Sequence, residues 1–329
     1  MEPVRVGVVG VGHLGRLHAL LYKHVPRAQL AGVFDISPET AAAVAREAGC
    51  RAFETYRDLL AHVDAVNVVV PTTQHFSVAA EALRLGKHVF IEKPITSSLQ
   101  EADELIRLAR ENHCLIQVGH IERFNQAMRA LSTVPLNPRF IESHRLATFN
   151  PRGTDVAVVL DLMIHDIDII LTLVNSPVAR IDANGVAVIS GEPDIANARI
   201  TFENGCVANV TASRISQKKM RKMRLFEKDS YVSIDFLQGL TERFRLVAQL
   251  PDEEQQTGVI MGKLEGKRTR YVFYERLQAP EGNALQIELE EFVDAIVTGR
   301  KPHVTAEDGR NALAVATQIA DIIKRQPID

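Results

Sequence analysis

The chain has 329 residues, enough for roughly two domains at about 150 residues each, and it can bury a core without disulfide or metal staples. Its 38 Lys+Arg against 41 Asp+Glu leave a formal charge of -3, which argues against a nucleic-acid protein held by a general basic surface. With 46% apolar and 24% charged residues the composition is that of a globular chain, and Cys50, Cys114 and Cys206 are too dispersed for a disulfide framework or a structural metal site.

In chain order, Val4 to Val9 reads as a buried strand and His13 to His24 carries a helical pattern. Leu30 to Phe34 is a second strand. Ser37-Pro38-Glu39 then opens a helix with a capping residue, a proline at the first helical position and an early acid. Ala65 to Val70 is a nearly continuous apolar run, as a parallel strand covered on both faces requires. Phe76 to Leu85 is helical and Val89 to Ile91 is again a strand. Ser98-Leu99-Gln100-Glu101 is a capping box opening a helix to about Glu111, and Leu115 to Val118 is the last strand of the set. Strand alternating with helix predicts an α/β, parallel-sheet Rossmann domain over residues 1–120.

After Gly119 the rhythm changes. Arg139 to Phe149 is strand-like and Val159 to Leu173 is a helix. Strand candidates follow at Ala183 to Ile189, Ala198 to Phe202, Val207 to Ser213, Met223 to Glu227, Val232 to Phe236 and Phe244 to Leu250, with the hairpin signal Asn204-Gly205 between two of them. Such runs predict a second α/β domain, residues 121–329, with a mostly antiparallel sheet. Pro251 to Arg270 reads as a long loop, and Ala284 to Val297 and Ala306 to Lys324 as closing helices, the last able to pack back on the Rossmann domain. No apolar run approaches the ~20 residues of a membrane span, and Met1 to Arg5 does not begin a signal peptide. The expectation is a cytoplasmic protein without membrane or nucleic-acid partners.

Three features carry chemistry. Gly10-Val11-Gly12-His13-Leu14-Gly15 is a GxGxxG between a strand and a helix, the arrangement that brings a pyrophosphate onto a helix N-terminus. Asp35 follows Gly15 by 20 residues, at the end of the second strand, where a carboxylate accepts from ribose hydroxyls. It would repel a 2'-phosphate, so NAD is favoured over NADP unless Arg16 or Arg46 compensates. Glu92-Lys93-Pro94 sits at the carboxyl end of a strand, where ligands of open α/β sheets bind; Lys93 is either a donor to substrate or a solvated loop lysine. Asp161, His165 and Asp168 fall at i, i+4 and i+7 of an otherwise apolar helix. They form either a satisfied structural network or a histidine acid/base with acidic partners, and no third ligand completes a metal site.

Taken in order, the GVGHLG turn, Pro71 to His75, the segment around Glu92 to Pro94, the Asp161 to His165 helix and Glu290 through Pro302 resemble the Gfo/Idh/MocA family of oxidoreductases. The resemblance implies a Rossmann domain followed by a domain with a large open sheet, often used to form homodimers or homotetramers. It also implies NAD(P)-dependent oxidation or reduction of a sugar or polyol carbon. On that resemblance Lys93 is the catalytic lysine, His165 the acid/base and Asp161 the acid of the same helix. A cis bond is expected before Pro94, Thr72 and His75 fall where relatives line the nicotinamide pocket, and Pro71 and Glu92 are further cofactor-binding candidates. Leu162, Met163 and Ile164 fill a gap where relatives often carry glycine, which leaves the pose of Asp161 open.

Val118 to Asn125 and Ser213 to Arg224 resemble, more narrowly, the branch that oxidises the 3-hydroxyl of UDP-N-acetylglucosamine for lipid A biosynthesis. This makes a nucleotide sugar the expected substrate and Arg123, Lys218, Lys219 and Arg221 its candidate contacts. Lys218, Lys219, Arg221, Lys222 and Arg224 put five positive charges in one segment, either a diphosphate site or a solvated edge strand guarded by lysines. A free polyol, an aldose, a UDP-hexosaminuronic acid, or a non-catalytic NAD-binding regulator are the alternatives.

Overall fold

A computed structural model of the chain describes residues 2–150, 156–249, 258–265 and 269–326. It divides into two units, Met1–Phe124 with Gly282–Ala314, and Asn125–Glu281 with Val315–Asp329.

In the first unit β1 (Val4–Val9), β2 (Ala28–Phe34), β3 (Arg51–Ala52), β4 (Ala65–Val68), β5 (His88–Glu92) and β6 (Ile116–Gly119) form one parallel sheet in the order β3-β2-β1-β4-β5-β6. This is the doubly wound order, and it reverses between β1 and β4. Helices α1 (His13–Leu21), α2 (Pro38–Ala48), α3 (Tyr56–Ala61), α4 (Thr72–Arg84) and α5 (Leu99–Glu111) alternate with the strands. Their ends follow from local chemistry. Ser37 caps α2 by accepting from the Thr40 amide, and Gly49 closes it in the left-handed region. The Ser98–Glu101 capping box is complete. Every residue of β4 is buried, as expected of a central parallel strand, and so is every residue of β6 at the end of the sheet. The helix α8 (Ala284–Thr298) also belongs to this unit, its Leu285, Leu289, Phe292 and Val293 joining the core of Val6, Val8, Val33 and Phe90.

The second unit contains the short helix α6 (Gln126–Arg129) and, among the described residues, a nine-stranded sheet. Its strands are β7 (Phe140–Leu146), β8 (Val178–Val186), β9 (Ile195–Phe202), β10 (Val207–Ser213), β11 (Met220–Phe226), β12 (Ser230–Asp235), β13 (Leu240–Val247), β14 (Gly258–Leu264) and β15 (Arg270–Leu277), in the order β14-β15-β13-β12-β11-β7-β10-β9-β8. Only the β7–β10 pair is parallel. One face buries Ile141, Val210, Met223, Leu225, Val232 and Ile234 and meets α7 (Ile164–Val174), a helix of seven apolar residues interrupted by His165, Asp166, Asp168 and Thr172 and closed by Asn175 in the left-handed region. On the alternate positions, Phe140, Phe226, Tyr231, Phe244 and Tyr274 run side by side across five strands, half-buried, with successive ring centroids 5.0–5.6 Å apart.

Two expectations change. The stretch read as a loop from Pro251 to Arg270 contains β14, which pairs with β15; residues 251–257 and 266–268 lie outside the described residues. The helix expected from Val159 begins instead as a π turn, Val159–Met163, before α7 proper. The closing helix α9 (Ala306–Lys324) stands where the periodicity placed it. Among the described residues no helix is long and apolar enough to cross a membrane.

Candidate active site

The carboxyl ends of β1, β2, β4 and β5 lie at one edge of the parallel sheet, and the geometry of that edge begins with the glycines. Gly10 turns at φ +81°, and a Cβ there would meet the Val69 carbonyl oxygen at 2.7 Å; at Gly15 it would lie 1.9 Å from the carbonyl oxygen of Gly10. Gly12 is different: nothing lies within 4 Å of its absent Cβ. The first turn of α1, which starts at His13 and Leu14, has no acidic residue, so an anion meets the helix dipole unopposed. The Asp35 carboxylate is held beside this turn, accepting from the Val11 amide at 2.7 Å and the Ser37 amide at 3.0 Å. Arg16 is paired with Glu47 and so does not stand ready for a 2'-phosphate. Open space over Gly12, a dipole without competing acid and an oriented Asp35 fit NAD.

Pro71 precedes α4, and Thr72 is its first residue. His75, one turn on, is buried, with Nδ1 2.9 Å from the Pro94 carbonyl oxygen and Nε2 3.0 Å from that of Val70. Burial pushes its pKa below the ordinary value, against the pull of those carbonyls. The ring thereby braces the end of β4 against the Glu92-Lys93-Pro94 turn, whose Lys93–Pro94 bond is cis. Arg123, in the turn Ile121–Phe124 of the same unit, is buried 3.7 Å from Asp308.

In the second unit Asp161, Arg214, Lys219 and Arg221 line a cavity of about 400 Å³ together with Phe149 and Asn150. Arg214 is buried, its guanidinium donating to the Val156 carbonyl and its Nε 4.0 Å from Asp194. Burial alone would raise the Asp194 carboxyl. The amides of Ile189, Val188 and Ser190 and the Ser190 hydroxyl outweigh it and hold the pKa down to about 2. An ionised Asp194 thus stands behind Arg214 at any ordinary pH. The basic segment is not an edge: β11 lies between β7 and β12. Lys222 pairs with Asp235 at 3.0 Å and Arg224 with Glu142 at 2.7 Å, while Lys219 and Arg221 face the cavity and Lys218 is exposed. Asp161 lies in the π turn and His165 in the first turn of α7, both half-buried, whereas Asp168 is buried.

Comparison with known proteins decides the family. The model described as "Oxidoreductase family, NAD-binding Rossmann fold" matches residues 4–120, and that of the GFO/IDH/MocA C-terminal domain matches residues 129–230. Over 320 residues, 97% of each chain, the sequence is 42% identical to the UDP-N-acetylglucosamine 3-dehydrogenase of Acidithiobacillus ferrooxidans. The chain belongs to the Gfo/Idh/MocA oxidoreductase family. A solved structure of that A. ferrooxidans dehydrogenase matches with TM-score 0.87 at 40% identity, over 98% of this chain and 99% of that one. A scyllo-inositol dehydrogenase from Lactobacillus casei with bound NAD(H) and scyllo-inositol matches with TM-score 0.76 at 22% identity, over 98% and 97%, which speaks to the fold alone.

As a Gfo/Idh/MocA protein the chain is an NAD-binding oxidoreductase with a Rossmann domain followed by a mostly antiparallel sheet domain. Sequence reasoning passed over Arg214, Phe149 and Asn150 as individual residues. Arg214 lies inside the Ser213 to Arg224 stretch singled out for its resemblance, outside the charge run that begins at Lys218, and its burial beside Asp194 is announced by no local pattern. The two glycines give a clean contrast. Gly12→Ala should cost less than about 1 kcal/mol of stability yet weaken NAD binding about tenfold or more, because the new methyl stands where the backbone meets pyrophosphate. Gly15→Ala has no room and should lower the thermal midpoint as well. Thermal unfolding and NAD titration of both variants check this.

Proposed function

We propose that this protein oxidises the 3-hydroxyl of UDP-N-acetylglucosamine to the 3-keto sugar, as the 42% identical relative is named for doing. The observation that carries this reading is the basic cavity of Arg214, Lys219 and Arg221 beside Asp161. A diphosphate needs such donors, and a free polyol has no use for them. His165 takes the hydroxyl proton as the C–H bond breaks and the carbonyl forms. Bound NAD supplies the acceptor for the hydride. Lys93 donates to the reacting oxygen and stabilises its developing negative charge. Asp161 orients the sugar, and Lys218 and Arg123 are further candidate contacts for the charged nucleotide. The glycine turn, Asp35, Pro71, Thr72, His75 and Glu92 form the cofactor side.

The half-buried aromatic row of Phe140, Phe226, Tyr231, Phe244 and Tyr274 supports a homodimer or homotetramer formed through the open sheet. Three free cysteines fit a cytoplasmic setting, and a place in lipid A biosynthesis rests on the resemblance carried by Val118 to Asn125 and Ser213 to Arg224.

The test is a panel of UDP-N-acetylglucosamine, UDP-hexosaminuronic acids, free N-acetylglucosamine and inositols, followed by absorbance of reduced nicotinamide. Turnover of UDP-N-acetylglucosamine, with stabilisation by UDP alone, is expected. Turnover confined to inositols or free sugars overturns the reading.

A further inference from the structure

Behind the Glu92-Lys93-Pro94 turn lies a chain of buried polar groups that neither the glycine turn nor the substrate cavity uses. It begins with Tyr22, whose hydroxyl donates to Asn67 Oδ1 at 2.8 Å. That bond turns the Asn67 amide nitrogen toward His18, 3.0 Å from Nδ1. Tyr22, Asn67 and His18 are all buried, and burial raises the Tyr22 pKa far above its ordinary value, so its proton stays in place. Because His18 Nδ1 accepts, the ring carries its proton on Nε2. Edge-to-face contact with Phe90, at 5.3 Å and 71°, sets the plane of the ring.

The Nε2 so protonated lies 3.2 Å from Oε1 of Glu92, close but off the line of a hydrogen bond, and it makes no hydrogen bond among the described residues. A buried N–H without an acceptor costs about 1–3 kcal/mol, so the Glu92 carboxylate is drawn toward it. On its other side the carboxylate rests against Gly119, where a Cβ would come within 2.9 Å of Oε1. Its second oxygen lies 3.3 Å from the Lys93 backbone nitrogen and accepts from it.

We propose that His18 is a positioning residue for the reaction: oriented by Asn67 and Tyr22, it fixes the Glu92 carboxylate, and through it the backbone from which Lys93 reaches the substrate oxygen. The proposal rests on Lys93 being the reacting lysine, as proposed above. His18 touches neither substrate nor cofactor in this role. Its effect is on the placement of a donor, and misplacement by about 1 Å costs on the order of 100-fold in rate.

Two variants and one spectrum test it. His18→Leu removes the Nε2 donor and should lower kcat on the order of 10–100-fold, with NAD affinity within about threefold of wild type. His18→Gln places an amide N–H near the Nε2 position and should recover most of that loss. Wild-type kcat in His18→Leu overturns the proposal, as does an equal loss in both variants at matched thermal midpoints. Nitrogen-15 NMR of histidine-labelled protein without substrate decides the case even if His18→Leu fails to fold. The Nε2–H form of His18 supports the proposal and the Nδ1–H form overturns it. Lys93→Met separates the two readings: full turnover in that variant removes the proposed role of Lys93, while the tautomer still reports on the His18 chain.

Discussion

His165→Asn is expected to lower kcat about 10²–10⁴-fold on the nucleotide sugar while leaving NAD affinity unchanged. The imidazole is the side chain whose ordinary titration range spans neutrality, so it can take a hydroxyl proton and release it again within one turnover. Asparagine is smaller but keeps a polar end near the Nδ1 position, and it cannot accept and return the proton. His165 is half-buried in the first turn of α7, an element whose other residues are mostly core, so the substitution leaves the packing of that helix largely alone. Lys93→Met should cost about 10²–10³-fold, the scale of losing one donor to a developing oxyanion. If the two groups act on the same oxygen, the double variant loses little more than the worse single one. Steady-state kcat and KM with separate NAD titrations check all three. Full turnover in His165→Asn overturns its assignment as the base.

Much of the first unit was legible because its signals are local. A strand, three glycines, a helix and Asp35 occur within 32 residues, and each has a steric or hydrogen-bonding requirement that a single stretch of sequence can meet. The membership of α8 was not legible in the same way: its apolar stripe says that it is buried, and nothing nearby in sequence says against which strands. The same limit applies to charge. The five basic residues from Lys218 to Arg224 look alike in sequence, yet Lys222 and Arg224 find Asp235 and Glu142 on neighbouring strands, and Lys219 and Arg221 face the cavity. Register decides that division, and it is set by the sheet as a whole. The π turn at Val159–Met163 was hidden for another reason. One widened turn shifts Asp161 from the line it would share with His165 and Asp168 on a regular helix, and apolar periodicity does not register a single i→i+5 step.

Arg145→Met should cost about 3–5 kcal/mol of stability, more than any surface charge in the protein. Arg145, on β7, makes a two-pronged ion pair with Asp166 on α7, Nε to one carboxylate oxygen at 3.0 Å and Nη2 to the other at 2.9 Å, with both side chains almost wholly buried. The guanidinium also lies 5.9 Å from the centre of the Phe236 ring. Removing it takes the guanidinium counter-charge away from a buried carboxylate, which is where the cost arises. For a unit of this size the loss corresponds to roughly 6–20 °C in the thermal midpoint. Arg145→Met combined with Asp166→Leu should recover much of it, since a well-packed apolar pair can replace a buried ion pair at little net cost. Asp166 is the residue next to His165, so the pair also anchors the turn that presents the imidazole. The double variant should therefore regain its thermal midpoint without regaining full kcat. Recovery of both would reduce the ion pair to a packing element, and recovery of neither would show that the surrounding core cannot close over the apolar replacement.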